Sequence, residues 1–138
     1  MNDREKVLIC VDNSENSLRA VEFARDMLLS VDSYVTLLTV VTPLDCDYFM
    51  EKDSPACDFE SIARMKSRVA ASLLEEAGVH FCLSAMVGNP AEAILKASSR
   101  HKLVVMGRKG SGSSQFISLG GVAEQVSHNI KVPLLLVP

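Results

Sequence analysis

The stretch that runs from Leu103 to Val137 reads LVVMGRKGSGSSQFISLGGVAEQVSHNIKVPLLLV. It begins with an apolar run of strand length, Leu103 to Met106, and ends with a second one, Pro133 to Val137. Between them lie a polar segment rich in Gly and Ser and a segment of helical period from Gly120 to about Asn129. A strand, a helix and a second strand in this order form the unit that joins neighbouring strands of a parallel sheet. The stretch therefore predicts an α/β fold.

The same alternation continues towards the start of the chain. Three more apolar runs predict strands, at Lys6 to Val11, Tyr34 to Val41 and about Val79 to Val87. Segments of helical period separate them, the first capped by Ser14, the second from about Phe59 to Ala77, and the third from Asn89 to about Arg100. The order βαβαβαβαβ, with no internal linker, predicts a single domain over residues 1–138. Right-handed crossovers then favour a doubly wound parallel sheet of five strands with helices on both faces.

Local signals mark several helix ends and faces. Asn89 is a predicted N-cap followed by Pro90, and Gly78 stands where a left-handed C-terminal cap is expected. The apolar stripes predict which helical residues face the core. In the first helix these are Ala20, Phe23, Ala24, Met27 and Leu28, and in the second Ile62, Met65, Val69 and Leu73.

Composition and charge exclude several classes of function. The chain has 138 residues, 48% of them hydrophobic and 22% charged, with a formal net charge of -3. No cluster of Lys and Arg with interleaved aromatic residues is present, so binding to nucleic acid or to an anionic membrane is not expected. The apolar run Val7 to Val11 is too short for a signal peptide, and no apolar stretch reaches the length of a membrane span. We therefore expect a cytoplasmic protein.

Neither metal chemistry nor catalysis has a sequence signature. The four cysteines show no CxxC pattern, and Cys10 and Cys82 lie in apolar runs where buried, reduced thiols are expected. His80, His101 and His128 are isolated. We predict no structural metal and no catalytic residue, because a G-x-S-x-G elbow and an evident nucleophile with its base are also missing from the sequence. The enzyme class stays open, with a slow ATPase as the most that is expected.

Residues 42–58 contain two prolines and five acidic side chains without any period. They predict one long, mobile loop. Because this loop leaves the carboxyl end of the second strand, we expect it to act as an acidic lid over a ligand bound there.

The carboxyl ends of the strands are where an open parallel sheet binds its ligand, which makes Asp12, Val40 and Gly107 the first candidates. The Gly-rich segment after Gly107 permits close backbone approach, and the following helix N-terminus attracts anions, so a phosphate is the expected ligand. Gly107 and Gly112 have the spacing of a P-loop, but Ser113 stands where the lysine belongs. On composition alone, a solvated flexible turn of small residues remains an equal alternative.

The whole chain resembles the universal stress protein family. The resemblance rests on Val11-Asp12 with Ser14-Glu15, on Gly88-Asn89-Pro90, on Val104 to Gly107, and on the terminal run Val132 to Val137. The family's nucleotide motif, G-x2-G-x9-G-[S/T], matches at Gly107, Gly110 and Gly120 with both gaps intact, and departs from the pattern only at Gly121.

The resemblance implies a strand order of 3-2-1-4-5 and a site for an adenine nucleotide (ATP, ADP or AMP), with or without Mg²⁺. It implies that Asp12 and Val40 flank the adenine and that Met106 and Gly107 lie by the ribose and phosphates. The phosphate chain would be wrapped by Gly110, Gly120, Gly121 and Val122. Each residue keeps a structural alternative: Asp12 as a turn residue, Val40 and Val122 as core, and the basic pair Arg108-Lys109 as a solvated face.

The function that follows is a regulatory stress-response module whose nucleotide shifts its shape or its partners. The alternative, from the other branch of the family, is a dimeric interaction protein that no longer binds nucleotide. The motif glycines favour the nucleotide-binding module over this alternative, and Gly121 favours the alternative over a slow ATPase. In both cases the resemblance implies a homodimer joined through the last strand and a protein partner that the sequence does not identify.

Overall fold

The computed structural model describes residues 5–45, 47, 58–109 and 119–138. Its centre is one sheet of five parallel strands in the order β3-β2-β1-β4-β5. The strands are β1 (Glu5–Val11), β2 (Ser33–Val41), β3 (Phe81–Val87), β4 (Leu103–Gly107) and β5 (Leu134–Val137). The predicted doubly wound sheet and its strand order are confirmed.

Among the described residues, the two faces of the sheet are covered by the helices α1 (Glu15–Leu28), α2 (Phe59–Glu76), α3 (Pro90–Ser98) and α4 (Gly121–Asn129). The strand residues Val7 and Ile9 share one buried cluster with α1 and α2, whereas Leu8 and Cys10 share another with α3 and α4. Successive side chains of a strand point to opposite faces, so β1 contributes to both layers of the core. Within the described residues, no helix is long and apolar enough to cross a membrane.

The helix ends follow the local signals. The side chains of Ser14 and Asn89 accept hydrogen bonds from backbone N–H groups in the first turns of α1 and α3, and Pro90 opens α3. Gly78 follows α2 with a φ of 75°, in the left-handed region that glycine tolerates best. The segment after β2 differs from the predicted loop, because residues 43–45 and 47 are helical. The remainder of the predicted lid, residues 46 and 48–57, lies outside the described residues.

The predicted helix faces are confirmed in part: Ala20, Ala24, Leu28 and Ile62 are buried, but four other predicted core residues are exposed. Phe23 and Met27 on α1, and Met65 and Val69 on α2, are exposed. The buried side chains are smaller on average: Ser17, Ala20, Val21, Ala24 and Leu28 on α1, and Ile62, Ala63, Ser67, Ala70 and Leu74 on α2. Small side chains let a helix axis approach a sheet closely, so the face richest in alanine, and not the bulkiest apolar stripe, makes the contact.

Of the two cysteines expected to be buried, only Cys10 is. Cys82 lies on β3, which is an edge strand, and it is exposed. The expectation for Cys82 was wrong because an edge strand is not necessarily covered on both faces, whatever the apolar character of its sequence.

Candidate functional site

A cavity of about 460 Å³ opens at the carboxyl ends of the strands. The ends of β1, β2 and β4 line it together with the first turn of α4 and residues of α2 and α3. In the strand order, β1 and β4 are neighbours from which the chain continues to opposite faces of the sheet. The cavity therefore lies at the switch point, where doubly wound folds place their ligands.

The cavity brings together most of the predicted site. Six of the eight predicted residues line it: Asp12, Val40, Met106, Gly107, Gly121 and Val122. Gly120 is buried beside the cavity without lining it, and Gly110 lies outside the described residues.

One side of the cavity is apolar. Its surface comes from Leu38 and Val40 on β2, Ile94 on α3, Met106 on β4 and the buried Cys10. Burial raises the pKa of the Cys10 thiol to about 12, so at neutral pH it stays protonated and acts as a small apolar side chain. This side offers a flat, unsaturated ligand a dry surface on which to pack.

The turn from β1 into α1 places a carboxylate at the rim. Asn13 adopts a φ of 68°, a left-handed conformation that asparagine tolerates better than most residues, and this permits a sharp turn. The backbone N–H of Asp12 donates to Ser17 Oγ at 3.2 Å, and Asp12 Oδ1 accepts from the Ser14 N–H at 3.0 Å. Asp12 is thus held as a turn residue while it lines the cavity, so the two readings of this residue are compatible.

Asn16, a residue that sequence analysis missed, joins three elements beneath the cavity. Its buried side chain donates from Nδ2 to the Val137 carbonyl at 3.1 Å and accepts at Oδ1 from the backbone N–H of Lys109. It thereby fixes the start of the Gly-rich segment and the end of β5 to the first turn of α1. The only sequence signal was a polar residue four positions before Ala20 on the buried face of α1.

Gly107 is packed directly against Asn16. A Cβ atom on Gly107 would lie 2.9 Å from Asn16 Oδ1 and 3.0 Å from both the carbonyl carbon and the carbonyl oxygen of Asn16. These separations are shorter than van der Waals contacts allow, so close approach is the reason that this position requires glycine.

The two ends of the Gly-rich segment are tied together by backbone bonds. The Arg108 N–H donates to the Val137 carbonyl at 2.8 Å, and the Arg108 carbonyl accepts from the Gly120 N–H at 2.9 Å. Of the predicted basic pair, Lys109 lines the cavity, whereas Arg108 does not. The Nε atom of Arg108 is buried and, in the part of the chain described, has no hydrogen-bond partner.

The N-terminus of α4 faces the cavity without a side-chain cap from any described residue. An α-helix provides no internal partner for the N–H groups of its first turn, here those of Gly121, Val122 and Ala123. All three residues line the cavity. Together with the helix dipole, these donors favour an anion at the N-terminus of α4, beside the apolar lining of the same cavity.

A lysine bridge closes the cavity on the β2 side. Lys66 on α2 donates to the Val40 carbonyl at 2.8 Å and to Asp45 Oδ2 at 2.7 Å, and Asp45 also accepts from the backbone and hydroxyl of Thr42. Burial by itself raises the pKa of the Asp45 carboxyl, but the bonds from Lys66 and Thr42 outweigh it and hold this pKa below its ordinary value. The bridge therefore stabilises the fold above the ordinary pKa of aspartate and loses this effect as the pH falls through the lowered pKa.

The described residues do not provide an evident set of ligands for a metal ion. Across residues 5–45, 47, 58–109 and 119–138, no three His, Cys, Asp or Glu side chains come together as metal ligands. The chemistry that the described cavity supports is the binding of a ligand with a flat apolar part and an anionic part.

Comparisons with known proteins agree with this geometry. A family model described as the universal stress protein family matches residues 3–138. The chain belongs to this family. A curated universal stress protein, MJ0531 of Methanocaldococcus jannaschii, is 30% identical over 140 residues, which cover 96% of this chain and 81% of the relative.

Solved structures of universal stress proteins share the fold. The chain is also similar to the hypothetical protein MJ0577, with a TM-score of 0.80 and 25% identity over 96% of this chain and 94% of the other. A universal stress protein from Archaeoglobus fulgidus, solved in complex with dAMP, aligns over 100% of both chains with a TM-score of 0.72 and 17% identity. At 17% identity, this similarity shows only that the two proteins share a fold.

Proposed function

We propose that this chain is a cytoplasmic regulatory module of the universal stress protein family that binds an adenine nucleotide in the cavity at the ends of β1 and β4. The observation that carries the proposal is that one cavity combines apolar side chains with the N-terminus of α4, which no described side chain caps. A nucleotide has the matching parts, a flat base and an anionic phosphate. Membership of the universal stress protein family, one member of which was solved in complex with dAMP, motivates the choice of adenine.

In this proposal the base packs on Val40 and Met106, and Asp12 lies beside the sugar or the base. The phosphate accepts hydrogen bonds from the first-turn N–H groups of α4, with Lys109 at the same end of the cavity. Gly107 and Gly120 contribute by geometry: Gly107 allows the close approach to Asn16, and the N–H of Gly120 is already engaged by Arg108. Gly110 and Mg²⁺ remain in the proposal on the family motif alone.

The proposed regulation depends on the elements of the fold that a bound nucleotide would contact. The cavity joins α4 to the β1–α1 turn, and Asn16 links that turn to Val137 at the end of β5. Occupancy would therefore act on Lys109 and on the β5 edge, where a protein partner or a second copy can dock. We assign no catalytic role to any residue.

The proposal is tested by placing a negative charge at the helix N-terminus. Val122→Glu should keep α4 intact, because a negative charge in the first turn interacts favourably with the helix dipole. The added carboxylate would occupy the position proposed for the phosphate. Val122→Gln is the matched neutral control. We expect calorimetric titration with AMP to show at least about tenfold weaker binding for the glutamate variant than for the glutamine variant. Equal affinities of the glutamate and glutamine variants for AMP would contradict the proposal. So would a wild-type protein that binds none of AMP, ADP and ATP, which would favour the interaction protein that does not bind nucleotide.

Gly121→Ser should increase the affinity for ATP relative to the affinity for AMP. A Cβ at Gly121 meets no atom within 4 Å, so serine adds its hydroxyl without repacking. One hydrogen bond to a charged oxygen typically contributes about 1.5 to 3 kcal/mol, and we expect the low end, about a tenfold gain for ATP relative to AMP. Calorimetry with both nucleotides measures this ratio, and Gly121→Ala controls for the change in backbone freedom. An unchanged ratio would show that this position does not meet the terminal phosphate.

We also propose that the chain is a homodimer through β5, an edge strand. The carbonyls of Pro133 and Val137 accept from β4 residues or Arg108, so alternation along the strand leaves the N–H and C=O groups of Leu134 and Leu136 directed away from the sheet. Such an edge pairs readily with a second chain.

Leu136→Pro removes one outward N–H while leaving the bonds to β4 in place, and Leu136→Ala removes the same side-chain packing but keeps the N–H. We expect light scattering at micromolar concentration to give about twice the chain mass of 15.0 kDa for the wild-type protein and the alanine variant. The proline variant should give a single chain mass. A wild-type protein with the mass of one chain would contradict the dimer.

A further inference from the structure

A second cavity, of about 270 Å³, lies on the face of the sheet that α3 covers. It is a groove between the amino-terminal parts of β1 and β2, the second half of β3, and the C-terminal end of α3. None of its lining residues belongs to the cavity described above. It is smaller than the roughly 300–1,000 Å³ typical of sites for drug-sized ligands. Its size therefore suits a ligand smaller than a nucleotide.

Three cationic side chains line this groove: Lys6 from β1, Lys96 from the last turn of α3, and Arg100 just beyond that helix. No carboxylate of the described residues forms an ion pair with any of them. Four other cations do have such partners: Arg25, Arg64, Lys66 and Lys102. All three side chains are exposed, and they line one groove in a chain with a net charge of -3. An anion bound between them would interact favourably with all three.

The helix dipole explains only part of this cluster. Basic side chains near a helix C-terminus interact favourably with the dipole, which accounts for Lys96 and Arg100. Lys6 lies on a strand and gains nothing from it. The convergence of a strand residue with the helix residues is what a site for an anion requires.

The hydroxyl groups of Thr36 and Ser84 also line the groove. His101 Nδ1 lies 2.8 Å from the Ala97 carbonyl, which only accepts, so Nδ1 carries a proton. In the neutral ring Nε2 then accepts from the Thr36 hydroxyl, 3.0 Å away. This pair is held in place by α3. Ser84 on β3 presents a further hydroxyl, and Met86 and Ala97 provide apolar surface beside it.

We propose that this groove binds the phosphate group of a small phosphorylated solute, with Lys6, Lys96 and Arg100 neutralising its charge and Ser84 donating to an oxygen. Phosphate matches a site with several cationic donors from different directions, because its oxygens are distributed tetrahedrally and accept several charge-assisted hydrogen bonds. The apolar strip of Met86 and Ala97 has room for a short carbon skeleton attached to it.

The test is a two-dimensional amide NMR titration of the full chain with inorganic phosphate at constant ionic strength, with chloride as the reference anion. We expect saturable shifts at Thr36, Ser84 and Ala97, with a dissociation constant on the order of millimolar. The double variant Lys96→Gln/Arg100→Gln should weaken the binding about tenfold or more. Lys102→Gln, which removes an exposed lysine outside the groove, is the matched control and should bind like the wild-type protein. The dispersion of each spectrum reports whether the variant is folded.

Absence of a saturable shift at the groove amides would overturn this proposal, as would equal binding by the double variant. Shifts confined to Gly107, Val122 and their neighbours would mean that phosphate enters only the nucleotide cavity, which also overturns it. The two sites report through different amides, so the failure of one proposal is distinguishable from the failure of the other.

Discussion

Gly107→Ala should destabilise the fold by about 1 to 3 kcal/mol, the usual effect of forcing an extra carbon into a tightly packed site. The added Cβ would meet Asn16 at 2.9 to 3.0 Å, and two of the three contacted atoms belong to the backbone of α1. Backbone atoms in the first turn of a helix cannot move aside without disturbing the turn from β1. The same displacement would separate Asp12 from the Gly-rich segment, so we expect AMP affinity to fall by at least about tenfold.

Urea unfolding and calorimetric titration measure these two effects. Gly121→Ala is the matched control, because a Cβ there meets nothing within 4 Å and alanine is the better helix former. A Gly107→Ala protein as stable as the Gly121→Ala protein would contradict the close packing. If Gly107→Ala is destabilised but binds AMP normally, the glycine has a structural role only.

Asn16→Ala should destabilise the protein by a similar amount, about 1 to 3 kcal/mol, because it removes both bonds of a buried amide. Val137 O still accepts from Arg108 after this change, but the Lys109 N–H loses Asn16 Oδ1. We therefore expect the Lys109 amide to exchange with solvent much faster in this variant. Hydrogen exchange followed by NMR tests this directly, and urea unfolding measures the stability.

The variant Asn16→Asp distinguishes the effects of the two hydrogen bonds that the Asn16 side chain forms. Aspartate keeps an acceptor for the Lys109 N–H but has no donor for Val137 O, and its charge lies in the first turn of α1, where it is favoured. We expect protection of the Lys109 amide to survive while stability falls. Exposure of this amide in the aspartate variant, or its continued protection in the alanine variant, would show that Asn16 does not anchor the Gly-rich segment.

Elements of the fold that depend on neighbouring residues were predictable from the sequence. Ser14 and Asn89 cap their helices through bonds to N–H groups three residues away, and Gly78 ends α2 through its own backbone conformation. The five strands begin and end within about two residues of the predicted positions, because each is an apolar run bounded by polar or turn residues. The family resemblance supplied the strand order. The positions of the strand ends indicated Asp12, Val40 and Gly107, and the resemblance added Met106, Gly121 and Val122; these six residues line the cavity.

Features that depend on contacts between distant elements were not predictable. Periodicity placed Phe23 and Met65 in the core, but packing density selected the alanine-rich faces of α1 and α2. Cys82 has the sequence context of a buried thiol, and only its place on the edge strand β3 exposes it. The bond from Lys66 to the Val40 carbonyl spans 26 residues, and no local pattern records it.

The sequence by itself determined the fold class, the helix caps and the glycine spacing, since these follow from backbone conformation and from side chains within one turn. Only the tertiary structure revealed the residues that support the site from distant segments. Asn16 bonds to Val137 across 121 residues, and Lys6 and Arg100 line one groove because β1 and α3 enclose it. Such contacts form where packing brings distant segments together, and their energies depend on burial and distance, which a linear order of residues does not contain.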